Sequence, residues 1–70
     1  MKERIDGYLS RKVQNFDPTA LVICQYLEAE KEEWVLRRTG HEELGLGDGF
    51  GAAKSAVIAF LRAERQKAKA

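Results

Sequence analysis

The sequence predicts an all-α fold, a single compact bundle of four to five short helices, and three observations lead there. Apolar residues recur at spacings of three and four in the first and last thirds of the chain. The central third opens on Asp17-Pro18, a capping residue followed by the residue that favours the first helical position. The stretch "YLEAEKEE" that follows is made of good helix formers.

The first element is an amphipathic helix with Ile5, Tyr8, Leu9, Val13 and Phe16 along one face and Arg4, Arg11 and Lys12 on the other. The second starts at Pro18 with Asp17 as its cap and places Ala20, Ile23, Cys24, Leu27, Trp34 and Val35 near one stripe. It runs as one helix from Pro18 to Arg38 or as two that meet near Ala29. An alternative is a β-hairpin in which "ALVICQYL" pairs with "WVLRR" across "EKEE". Against it stand the lack of clean alternation and a turn without Gly or Asn. Gly40 stops the second helix, "HEEL" is long enough for one turn, and the last helix runs from about Phe50 to Gln66. Its inward residues are Phe50, Ala53, Val57, Phe60 and Leu61; Lys54, Arg62 and Arg65 point outward. The expected organisation is one domain over residues 1–66 and a basic frayed tail over 67–70.

Seventy residues give a core that supplies only about 3–5 kcal/mol of net stability without a covalent or metal staple. Cys24 is the single cysteine and His41 the single histidine, so an internal disulfide is impossible and no Cys/His metal site can be assembled. No cofactor and no metal are expected. A Cys–His catalytic couple would rest on two residues alone. Glu42 and Glu43, adjacent on a helix, point about 100° apart and make no acid–base pair. These points lead to a non-catalytic chain. The longest apolar run, Ala20 to Cys24, is far too short for a membrane span, and the first residues alternate charges without the apolar core of a secretory signal. The expected location is intracellular, cytoplasmic or with the nucleoid or nucleus.

Net charge is +1, yet the charges are unevenly placed. Residues 49–70 carry Lys54, Arg62, Arg65, Lys67 and Lys69 against Glu64 alone, whereas residues 28–33 carry four glutamates against Lys31. A basic end and an acidic shoulder are expected.

The glycine stretch "GLGDGFGAAKS" invites a phosphate-loop reading, but a Walker loop needs glycines where Asp48 and Ala53 stand. The loose dinucleotide pattern of Gly47, Gly49 and Ala52 lacks a preceding strand and sits in too short a chain. With Gly49, Phe50, Gly51, Ser55 and Ile58 in order and Leu44 upstream, residues 44–62 resemble the helix-hairpin-helix family, and "EELGLGDGFGAAKSAVIAFL" also resembles the end of a sterile alpha motif domain. Gly47, Ala53 and Asp48 depart from the first pattern. The resemblance implies a helix-hairpin-helix, sterile-alpha-motif-like last third and sequence-independent contact with the DNA backbone. Gly49, Gly51 and Ser55 would act near the start of the last helix, with Lys54, Arg62 and Arg65 adding charge. The competing readings are a plain interhelical turn, and a protein-interaction module in which the acidic shoulder meets the basic helix of a partner or of a second copy, giving a homo-oligomer.

Overall fold

The computed structural model describes residues 2–69 and shows an α+β fold. Its elements are β1 (Lys2–Ile5), α1 (Gly7–Gln14), β2 (Leu21–Leu27), β3 (Lys31–Arg37), β4 (Leu44–Gly47) and α2 (Gly49–Lys69). The strands form one antiparallel sheet in the order β1-β2-β3-β4, so each pairs with its neighbour in sequence. The all-α bundle of four to five helices is therefore corrected, and so is its helix-hairpin-helix last third. The element before the glycines is a strand, and the glycines join a strand to a helix.

Both helices lie on one face of the sheet. Leu9 and Val13 of α1 and Ala53 and Val57 of α2 share a core with Val22, Cys24, Trp34, Leu36 and Leu46 of the strands. Asp6 caps α1, its carboxylate accepting from the Leu9 amide at 2.8 Å. Where β1 ends, the Asp6 amide donates to the Val22 carbonyl at 2.8 Å, and the Ser10 hydroxyl accepts from the Val22 amide at 2.8 Å and donates to the same carbonyl at 3.3 Å. No backbone group of Val22 is thereby orphaned where the sheet gives way to helix.

The central pair β2–β3 is the hairpin alternative, closed by Glu28, Ala29 and Glu30. Ala29 and Glu30 take φ of 64° and 59°, left-handed values, without the Gly or Asn that normally supplies them in a hairpin turn. The long central helix is corrected here. Asp17 caps no helix: its carboxylate accepts from the amide and hydroxyl of Thr19, and Ala20 donates back to the Asp17 carbonyl at 2.9 Å. Pro18 occupies the second position of that reverse turn, a place it favours for the same fixed φ that suits a helix start.

The helix-free face carries a row made of one residue from each strand, Ile5, Ile23, Val35 and Gly45. Ile23 and Val35 are nevertheless only 4% and 1% exposed. Arg37 of β3 reaches diagonally over this row to Glu3 of β1 at 2.5 Å and also holds Glu43 at 2.6 Å, while Gln25 donates to Glu3 at 2.8 Å. A polar strap thus does for this face what the helices do for the other. On β4 the register slips, with Gly45 opposite Val35 and Gly47 opposite Trp34. The extra residue, Leu46, is buried in the helix-side core.

The seven-residue strands span about 23 Å at 3.3 Å per residue and the 21-residue α2 about 31 Å at 1.5 Å. The exposed last turns of α2 account for a long molecular axis of 43 Å. The helix continues through Lys69, and the last residue of the expected tail, Ala70, lies outside the described residues.

Candidate nucleic-acid interface

The helix layer presents a surface built from both helices. Tyr8 at the start of α1 lies 6.4 Å, centroid to centroid, from Phe50 at the start of α2, and Phe16 just beyond α1 lies under the Arg65 guanidinium near the end of α2. The helices therefore run side by side in the same direction. Steps of four, four and three along α2 place Lys54, Ile58, Arg62 and Arg65 on the flank that faces α1. All four side chains are exposed. Lys12 of α1 stands 5.0 Å over the Tyr8 ring, and Arg11 beside it is exposed.

Among the described residues the ion pairs join Arg37 to Glu3 and Glu43, and Lys67 to Glu64. Arg11, Lys12, Lys54, Arg62 and Arg65 take part in none of them. Five cations without carboxylate partners thus share a surface with three aromatic rings. Four of the six aromatic residues have a cation within 6 Å of the ring centroid, the other two pairs being Arg4 with Tyr26 and Arg38 with Phe60. Two of the four, Lys12 with Tyr8 and Arg65 with Phe16, belong to the α1–α2 surface.

Of the residues expected to form the site, Lys54, Arg62 and Arg65 fall on one flank, with Ser55 exposed one position further round. The three glycines of the turn play different parts. Gly47 and Gly49 hold left-handed conformations, φ 109° and 86°, and shape the strand-to-helix turn. Gly51 has no such conformation and lies within α2 as an exposed helical residue. The turn brings the first amides of α2 beside Phe50, but Asp48 precedes them with a carboxylate that competes with any phosphate there.

Tyr8, Arg11, Lys12, Asn15 and Phe50 belong to this surface and were not among the expected site residues. Their signal in the sequence is the basic face of the first helix. Tyr8, Phe16 and Phe50 had instead been expected in the core, and they are 51%, 42% and 44% exposed because Leu9, Val13, Ala53 and Val57 suffice to fill it.

Groups with other chemistry lie elsewhere. Cys24 is fully buried and burial pushes its thiol up, away from the reactive thiolate. His41 is exposed after β3, its Nδ1 3.2 Å from the Thr39 carbonyl. Among the described residues no three His, Cys, Asp or Glu side chains gather to hold a metal ion, and no helix is long and apolar enough to cross a membrane. Comparison with known proteins finds no family model, curated protein or solved structure that matches the chain.

Proposed function

We propose that the chain binds nucleic acid without sequence preference, through the phosphate backbone, on the α1–α2 layer. The observation that carries this reading is the set of five cations, Arg11, Lys12, Lys54, Arg62 and Arg65, that share one surface and have no carboxylate partner among the described residues. From Lys54 to Arg65 the charged flank extends about 16 Å at 1.5 Å per residue, enough to follow consecutive phosphates. Contact by the side chains of α2 replaces the glycine amides as the principal feature, because Asp48 stands at those amides and Gly51 is an ordinary helical residue.

Fluorescence anisotropy with labelled oligonucleotides of unrelated sequence tests it. Neutralising about three phosphates should give a slope of log K against log salt near −2.7 on duplex and near −2.1 on single strands. Lys54→Ala combined with Arg62→Ala should weaken binding to every sequence alike. Absence of binding at low salt by folded protein, or equal binding by the double variant, would refute the reading.

A second reading, a protein-interaction module, is favoured by one observation. Glu33 and the Glu3–Arg37–Glu43 cluster, together carrying an excess of negative charge, lie on the helix-free face beside Ile5, which is 57% exposed. If the basic layer of one copy meets that face of another, light scattering at low salt should show a mass that falls as salt screens the contact over about 10 Å at 0.1 M. A monomer at high concentration and low salt would exclude self-association of this kind.

A further inference from the structure

An open groove of about 480 Å³ runs along the outer side of α1, lined by Gly7, Tyr8, Arg11, Lys12 and Asn15. We infer that this groove is a stacking subsite for an unpaired nucleobase, which makes single-stranded nucleic acid the preferred ligand class. The inference rests on the nucleic-acid reading above and specifies what part of the ligand the surface holds.

The components are those a single strand needs. Tyr8 supplies a half-exposed ring, extended by Phe50, which is itself backed edge-on by Trp34 at 5.8 Å; the Lys12 ammonium rests 5.0 Å over the Tyr8 ring and swings aside to a phosphate when a base stacks there. Stacking on such rings is sequence-tolerant because every base has a π-face. Arg11 and Lys12, on the same stripe, supply charge for the phosphates on either side. The Asn15 amide offers both a donor and an acceptor to a base edge, without dictating which base. Gly7 keeps the end of the groove open: a Cβ built there meets nothing within 4 Å, and its backbone has no left-handed angle that would require glycine. A duplex keeps its base faces inside its own stack and can use the cations alone, whereas a single strand can use the cations and the ring.

The test compares oligothymidylate, oligouridylate and a short duplex by anisotropy, with wild type, Tyr8→Leu, Tyr8→Phe and Gly7→Leu, each checked for native circular dichroism. Wild type should bind the single strands more tightly than the duplex. Tyr8→Leu should weaken single-strand binding by roughly five- to 150-fold, the usual range for one stacked base, and leave duplex binding in place. Tyr8→Phe should retain the single-strand affinity, and Gly7→Leu, which occupies the groove while leaving Tyr8 in the chain, should reduce it. The relative affinities for the two single strands identify DNA or RNA as the source of the base. Wild type that binds duplex and single strands equally, with Tyr8→Leu and Gly7→Leu unchanged on both, overturns this inference and leaves backbone binding standing. Failure to bind any of the three overturns both.

Discussion

At the residue scale, the glycines separate into those the backbone needs, Gly40, Gly47 and Gly49, and those it does not, Gly51 among them. Gly47 holds φ at 109° and a Cβ there would lie 3.0 Å from that of Ala52, so Gly47→Ala should destabilise the fold by more than about 1 kcal/mol. Gly51 sits in α2 with open space where a Cβ would be, and Gly51→Ala should stabilise by about 0.5–1 kcal/mol. Thermal denaturation of the two variants checks both signs. Glu3 has a different dependence. The hydrogen bond from Gln25, and then the Arg37 guanidinium, hold its carboxyl below the ordinary carboxylate range. The folded form therefore resists protonation more than the unfolded chain. Stability from this contact is fully present above the unfolded pKa, about 4.3, and is lost as pH falls from there through the folded value. Melting temperature followed from neutral to acid pH should fall less steeply for Glu3→Gln than for wild type below that point.

At the element scale, the β2–β3 turn stores strain that a substitution can release. Ala29 and Glu30 occupy left-handed positions that cost a non-glycine residue about 1 kcal/mol or more. Glu30→Gly should raise stability by roughly 0.5–1 kcal/mol, read from the midpoint of urea unfolding with an unchanged slope. The same turn explains why this hairpin was hard to read. Its residues belong to the helix-forming set, and the strain they bear is offset by the pairing of two seven-residue strands. Alternation was hidden as well, because the Arg37–Glu3 strap buries Ile23 on the face where a polar residue would be expected. The short β1, "KERI", is exposed throughout and has no apolar pattern to find. Asp17-Pro18 misled because an aspartate before proline suits both a helix cap and a reverse turn. The two helices were legible in part: Leu9 and Val13 in α1, and Ala53 and Val57 in α2, are spaced by four and face the core as their periodicity required. The basic flank of α2 was legible for the same reason. The contribution of α1 depends on a sheet that sets the two helices side by side, which no local pattern encodes.

At the scale of the whole molecule, a net charge of +1 conceals two faces of opposite sign. Arg11, Lys12, Lys54, Arg62 and Arg65 lie on the helix layer, whereas Glu3, Glu33 and Glu43 lie across the sheet with Arg37, and Glu28 and Glu30 at the hairpin turn. Position should therefore outweigh total charge. Arg62→Glu and Lys31→Glu change the net charge equally, but only the first alters the helix layer. On an immobilised polyanion such as heparin, Arg62→Glu should elute at clearly lower salt than wild type and Lys31→Glu close to it. Equal shifts for the two would show that the molecule responds to its overall charge alone.

The sheet order has one more consequence. "LVICQYL" combines β-branched and aromatic residues, carries no charge and contains no proline, the composition of a segment prone to assemble into fibrils. In the native fold β2 is paired along both edges, by β1 on one side and β3 on the other. The outer strands that remain are four residues long, β1 with three charged side chains and β4 with a bulge, features that discourage edge-to-edge growth. The four residues of β1 thus act as a guard on the segment behind them, and any partial unfolding that frees β1 converts a harmless interior strand into an exposed template for aggregation.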